Sequence, residues 1–294
     1  MTGDTVEKIS SDYRRKRVKR IKKIIVTSAI ILILLPTVLS VFLLIKVFNM
    51  QKQLDKVLEA RADKKQEEDV VQAKEKKATP VVTATPVPAE KKVYLTFDDG
   101  PGTQTEKILE VLKKEKVKAS FFVTGKEDSY SKKMYRRIVK EGHTLGMHSY
   151  SHIYSQIYES KEAFTKDFNK IYKTLYKATG TYPTFYRFPG GSSTKNTKIP
   201  IQNFIQVLNQ NKISYIDWNV ISPDATNPGI SKSKIIEKII QDISQYDTSV
   251  VLMYDVEDKP MTAKALPGLI RKLKEKNYKL LPIDSDTVSI RHNE

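Results

Sequence analysis

Between residues 91 and 294 the apolar positions follow two rhythms. Short apolar or alternating runs at Val93–Phe97, Ala119–Thr124, Thr144–His148, Thr184–Phe188, Ser214–Trp218, Val250–Tyr254 and Tyr278–Ile283 read as strands. Between most of them the apolar residues recur every three or four positions, the period of a helix with one buried face. Lys161–Thr179 places Phe164, Phe168, Ile171 and Leu175 in that spacing, behind Ser160 as a cap. Glu106–Lys116 places Ile108, Leu109, Val111 and Leu112 on one side, and Ser131–Glu141, Ile201–Asn209, Ser233–Ser244 and Ala263–Lys276 complete the set. Strands alternating with helices predict a parallel α/β architecture. No glycine fingerprint follows the first strand, which leaves a dinucleotide fold unsupported. A closed or nearly closed barrel is expected, because polar residues with chemical potential follow many strands rather than one switch point.

The first 90 residues read differently. Ile24–Ile45 is an uncharged apolar run, long enough to cross about 30 Å of hydrocarbon. It is too long for a signal-peptide core, and no small-residue cleavage site follows it. Nine Lys/Arg between Lys8 and Lys23 precede it. The expectation is a basic cytoplasmic tail at 1–23, a membrane helix at 24–48 and everything beyond it outside the cell. Residues 49–90, first charged and then Thr/Pro-rich, are expected to form a stalk, the Pro-rich part extended and stiff. The domain at 91–294 would then face the outside.

The net charge is +17, and residues 91–294 carry 33 Lys/Arg against 23 Asp/Glu. No interleaved aromatic-basic motif points to nucleic acid. An anionic wall polymer or lipid headgroups suit the excess better. There is no cysteine, which excludes disulfides and thiolate metal sites, and the four histidines are His143, His148, His152 and His292.

Asp98 and Asp99 end the first strand, and His148 and His152 lie four apart at the end of the third. Asp99, His148 and His152 make a two-nitrogen, one-oxygen set with open positions, suited to Zn²⁺ or another divalent first-row ion such as Co²⁺. Asp98 is then free to take a proton from water, and Arg187 can pair with it and hold it ionised. The Gly190–Gly191 turn lets backbone N–H groups approach an oxyanion. His143 reads as a packing or hydrogen-bonding residue and His292 as an inert residue of the tail.

Five motifs now stand in order: TFDDG at 96–100, the H-S-x-x-H pair at 148–152, RFPGG at 187–191, DWNxxxxDA at 217–225 and V-L-M-x-D from Val251 with Ala-Leu-Pro after it. In this order they resemble the polysaccharide deacetylases of the NodB-homology type, carbohydrate esterase family 4. The resemblance covers residues 91 to about 283. It implies a distorted (β/α)7 barrel that removes N-acetyl groups from β-linked N-acetylglucosamine polymers, with cell-wall peptidoglycan as the expected substrate. By resemblance, Asp98 is the general base, Asp99, His148 and His152 hold the metal, and Arg187 orients the base. The Gly190 amide would meet the oxyanion, Leu252 would line the acetyl-methyl pocket, and Trp218 would line the sugar site. Asp224 matches the motif-four aspartate.

Three positions depart from the family pattern. Ile153 replaces a common proline. Ala225 replaces a common tryptophan, which removes one wall of the sugar groove. Tyr254 stands where the family carries its general-acid histidine, normally tuned by the aspartate that Asp224 matches. A phenol titrates near 10 and an imidazole near 6.5, so a weakened enzyme is expected. The alternative is a non-catalytic glycan-binding or scaffold protein on the same fold.

Overall fold

The computed structural model describes residues 90–227 and 229–293. The expected basic tail and membrane helix, and all of the expected stalk but its last residue, lie outside the described residues. Strand β1 (Lys92–Asp98) is central, flanked in parallel by β2 (Ser120–Val123) and β7 (Thr248–Tyr254). With β3 (Thr144–Met147), β4 (Phe185–Tyr186), β5 (Ser214–Tyr215) and β6 (Val220–Ile221), the sheet runs β5-β4-β3-β2-β1-β7-β6. A last strand, β8 (Lys279–Leu280), pairs with the first two residues of β1. Every pairing is parallel, because helices return the chain between strands.

Both faces of β1 are buried, as parallel strands between two apolar layers require. Val93, Leu95 and Phe97 belong to the main core, with Ile108 and Leu109 of α1 (Thr105–Lys114) and Ile270 of α7 (Pro260–Glu275). Tyr94 points the other way, into a smaller cluster with Phe122, Ile216, Val250 and Ile283 inside the curl of the sheet. Fully burying one such side chain contributes roughly 1.5–3 kcal/mol, so this alternation anchors the strand at a fixed register. Thr96 and Asp98 share the inward face with Tyr94, and this carries them to the top of the inner cluster.

The remaining helices are α2 (Ser129–Lys140), α3 (Tyr154–Ile157), α4 (Lys161–Thr179), α5 (Gln202–Gln210) and α6 (Lys232–Ile243). Helix α4 keeps its expected bounds for local reasons. The Ser160 hydroxyl accepts from the Ala163 amide at 3.1 Å, and Gly180 closes the helix in the left-handed conformation. Helix α2 starts two residues before its expected start, because the Asp128 carboxylate caps the Ser131 amide.

The expected barrel is corrected to an open curl, a half-barrel. Strands β5 and β6 end the hydrogen-bonded path and do not pair with each other. Ser214–Trp218 holds strand geometry only at 214–215, and the following carbonyls, of Ile216 and Asp217, accept from the Arg187 side chain at 3.1 and 3.0 Å. A side chain takes the place of a neighbouring strand, and the gap this leaves lies beside the site. Strand β6 and helix α3 were not expected from the sequence.

Candidate active site

The carboxyl ends of β1, β3, β4 and β7 bring the candidate residues to one end of the sheet. Asp98 is the last residue of β1 and lies in register with Tyr254, the last of β7. Asp99 leaves the strand with φ at +72°, and Ser149 and His152 have φ of +69° and +53°. A non-glycine residue in this region costs about 1–2 kcal/mol. Three such residues in two facing loops are the local strain found where a site dictates backbone shape.

Those conformations converge three ligand atoms. His152 Nε2 lies 3.1 Å and His148 Nε2 3.4 Å from Asp99 Oδ1. The ligand atoms of the three residues lie within 4.8 Å of one another. His148 Nδ1 sits 2.8 Å from the Arg187 carbonyl, which only accepts, so the proton is on Nδ1 and Nε2 offers a bare lone pair. Burial lowers the pKa of both histidines, and the His148 charge adds to the lowering at His152. Neutral imidazoles beside a carboxylate oxygen that is buried and has no hydrogen-bond partner fit a divalent cation.

The loop carrying the histidines is suspended from α4. Asp167 accepts from the amides of Tyr150 and Ser151 at 2.6 and 2.9 Å. Sequence reasoning missed it, although an acidic residue three positions after Phe164 on an otherwise apolar helix face was a readable signal.

Asp98 is held from the opposite side. Arg187, fully buried, donates to Asp98 Oδ1 at 2.9 Å and to the Thr96 hydroxyl at 2.6 Å. Its remaining nitrogens take the two carbonyls of the sheet gap, and the guanidinium lies 4.1 Å from the centre of the Phe122 ring. Thr96 in turn donates to the Val251 carbonyl at 2.8 Å. Burial pushes Asp98 up to about 7, with Arg187 opposing and the Asp99 charge adding. A carboxylate poised near neutrality is suited to accept a proton.

The Arg187–Gly191 segment turns through two left-handed glycines, with φ of +79° and +78°. The Tyr154 ring packs edge-on to His152 at 5.6 Å and closes over Gly190. Tyr158 donates to the Pro189 carbonyl at 2.8 Å. Trp218 is partly buried, 5.7 Å from the Arg187 guanidinium.

The reading of His292 as an inert tail residue is corrected. Its ring stands edge-on to Trp218 at 5.0 Å, and its Nε2 meets the Trp218 carbonyl at 2.7 Å. Its amide donates to Asp217, the buried carboxylate that also takes the Ser192 amide and hydroxyl. The chain from Ile290 to Asn293 thus packs against the glycine turn. Nothing in its composition distinguishes that segment, because its partners, Asp217, Trp218 and Ser192, lie far away in sequence.

Leu252 is buried beside Thr96, two residue pairs below Asp98 and Tyr254. Tyr254 is half-buried, and burial with the charges of Asp98 and Asp99 raises its pKa. Asp224 is buried beneath it, but one carboxylate oxygen takes the Ser222 hydroxyl and the other the Thr262 hydroxyl at 2.5 Å. No hydrogen bond joins it to Tyr254 among the described residues. Lys259 donates to the carbonyls of Asp224 and Ala225 and lies 4.7 Å from the centre of the Tyr254 ring. Asp255 donates its amide to the Asp98 carbonyl, and its own carboxyl, pushed by burial to about 8, takes the Thr105 hydroxyl. A β-carbon at Gly100 would come within 2.3 Å of that carboxyl, which accounts for the glycine of TFDDG.

Comparison with known proteins agrees with this geometry. Residues 85–214 match the polysaccharide deacetylase family model. The YheN protein of Bacillus subtilis, assigned as a polysaccharide deacetylase, is 34% identical over 207 residues, covering 68% of this chain and 70% of its own. The peptidoglycan-N-acetylglucosamine deacetylase PgdA of Listeria monocytogenes is 31% identical over 197 residues, and the match spans 66% of this chain and 38% of the Listeria protein. Among solved structures, the catalytic domain of a peptidoglycan N-acetylglucosamine deacetylase from Eubacterium rectale superposes with a TM-score of 0.66 at 35% identity, covering 72% of this chain and 97% of that one. Five ordered motifs, the half-barrel and these relatives agree: the chain belongs to the polysaccharide deacetylase family, carbohydrate esterase family 4, with a NodB-homology domain.

Proposed function

We propose that this protein is a metal-dependent N-deacetylase of cell-wall glycan, acting on the N-acetyl groups of peptidoglycan N-acetylglucosamine. In this reading the apolar segment 24–48 anchors the protein in the cell membrane with its N-terminus cytoplasmic, and residues 91–294 work outside. The observation that carries the activity is the Asp99–His148–His152 cluster set beside the Asp98–Arg187 pair.

A bound divalent ion, Zn²⁺ in the leading assignment, supplies Lewis acidity and lowers the pKa of water. Asp98, aimed by Arg187, takes the proton of the attacking water. The left-handed Gly190 exposes its amide toward the oxyanion, and Leu252 offers an apolar contact to the acetyl methyl. The C–N bond breaks, the amine takes a proton, and acetate leaves. Tyr254, in register with Asp98, can donate a hydrogen bond but is a poorer proton relay than an imidazole at neutral pH. The expected consequence is a rate below that of a histidine-bearing site by about 10²–10⁴-fold.

The same tyrosine supports a second reading, a glycan-binding scaffold without turnover, because Asp224 is already occupied by hydroxyls. The test is acetate release from peptidoglycan and from a chitin oligomer by metal-loaded protein, alongside Tyr254→His. Acetate from wild type and a large gain in the variant support the enzyme. No acetate from either, with glycan binding intact, overturns it in favour of the scaffold.

A further inference from the structure

Helices α2 and α4 face each other across a cleft of about 440 Å³ whose rim carries Lys132 and Arg136 from one side and Lys170, Lys173 and Lys177 from the other. The one acid on this rim, Glu127, accepts the Tyr150 hydroxyl at 3.1 Å. The opposite edge of α2 is different: Arg137 meets Glu106, Glu110 and Glu141, and Lys133 lies 3.9 Å from Glu106. On the cleft side, among the described residues, no carboxylate lies within ion-pair distance of the five cations. Arg136 makes one long bond to the Ala178 carbonyl, and Lys170 lies over the Tyr150 ring at 3.7 Å. Like charges facing each other destabilise unless an outside anion offsets them.

The cleft also leads somewhere. Tyr150 belongs to the loop between His148 and His152, and Lys170 lies one turn beyond Asp167, which holds that loop. A second cleft of about 310 Å³, whose lining includes Tyr150, Ser151, Glu159, Lys166, Asp167 and Lys170, shares Lys170 with the basic rim and Tyr150 and Ser151 with the metal loop. Lys170 over the Tyr150 ring and Glu127 on its hydroxyl thus tie the basic rim to the loop that carries His148 and His152.

We propose that the α2–α4 cleft is a subsite for carboxylates borne by the substrate, so that this enzyme prefers an acidic glycan strand, one carrying peptide stems with free carboxylates, over a neutral one. The inference rests on the deacetylase reading. Continuity with the metal loop favours groups attached to the substrate over a separate phosphate polymer or a lipid headgroup.

The experiment uses the full-length, metal-loaded protein and the variant Lys132→Gln/Arg136→Gln/Lys173→Gln/Lys177→Gln, all four at the cleft rim. Kinetics are compared on a chitin hexamer, on stem-bearing glycan and on the same glycan with its carboxylates amidated. Wild type should prefer the free-carboxylate strand, through KM and most strongly at low salt. The variant should lose that preference at least tenfold while kcat holds. An equal change on all three substrates, or none, overturns the proposal. Co-sedimentation of wild type and variant with both stem-bearing glycans reads the subsite even where no acetate is released, so a failed deacetylase assignment remains distinguishable. If teichoic acid or anionic vesicles compete with the acidic glycan for wild type and not for the variant, the cleft belongs to phosphate, and the carboxylate assignment falls.

Discussion

A β-carbon at Gly190 would lie 3.1 Å from Cε1 and 3.2 Å from the hydroxyl of Tyr154. The two residues are shaped to each other: the space a side chain would need at 190 is filled by the tyrosine, with the Thr194 hydroxyl at its edge. At Gly180 φ is nearly the same, +74°, and no atom lies within 4 Å of the added carbon. Gly180→Ala therefore measures the left-handed backbone cost alone, about 1–2 kcal/mol. Gly190→Ala should cost more, on the order of 1–3 kcal/mol beyond it, and should cut acetate release at least tenfold as the turn moves. Adding Tyr154→Ala should recover the tyrosine's share of the steric part and leave the share of Thr194 Oγ1, 3.1 Å from the same carbon, together with the backbone part. Equal denaturation midpoints for the two single variants would remove the contact from the account.

Thr96→Val keeps the shape of a buried residue and deletes one hydroxyl. Arg187 then loses a 2.6 Å partner, and the Val251 carbonyl loses its donor. The expected loss is about 1–3 kcal/mol of stability, with kcat falling and KM nearly constant because Asp98 is less firmly aimed. Arg187→Met should be harsher, about 3–5 kcal/mol, since it strands a buried carboxylate and two carbonyls. Urea denaturation with acetate kinetics separates the two effects. A Thr96→Val enzyme with unchanged kcat would mean that Asp98 is aimed without it.

These partners mark where sequence reading stops. The strands β1, β2, β3 and β7 and the whole of α4 are legible because apolar period and caps are local. The motif residues are legible because a metal site needs particular side chains at particular spacings. Thr96, Asp167 and Tyr154 gain their meaning from residues 91, 17 and 36 positions away. Strand β6 has only two residues and makes no period of its own. The open edge of the sheet was unreadable for a similar reason: it depends on Arg187 capping carbonyls that a neighbouring strand would otherwise take.

Buried His143 should impose an acid sensitivity on folding. Burial, with Lys118 adding, lowers its pKa from 6.5 to about 4, and its Nδ1 accepts from the Ala119 amide at 3.1 Å. Between those two values the unfolded chain binds a proton that the folded chain refuses. Stability is therefore flat above pH 6.5 from this group and falls as pH drops toward 4, by a few kcal/mol at most. His143→Asn keeps an acceptor for Ala119 and removes the titration. The variant should lose less stability than wild type between pH 7 and 4.5 in urea melts. Parallel pH profiles would show that this histidine does not set the slope.

Asp167 should govern metal affinity without touching the metal. Its two oxygens hold consecutive amides of the four-residue step between His148 and His152, and the flanking Phe164 and Phe168 root it in the core. Asp167→Ala frees those amides and leaves the loop to weaker restraints, among them the His152 amide's bond to the Ser149 hydroxyl, the Gly125 amide's bond to the Tyr150 carbonyl and the Tyr150 hydroxyl's bond to Glu127. Both imidazoles then sample wider positions, and ordering them again opposes binding. A fall of about 10–100-fold in Zn²⁺ affinity is expected, read by competition with a chromophoric chelator, while helix content by circular dichroism stays at the wild-type level. Asp167→Asn should fall between the two, since its amide nitrogen faces one of the N–H groups it would need to accept from. Wild-type affinity in Asp167→Ala would mean that the left-handed backbone at Ser149 and His152 holds the ligands unaided.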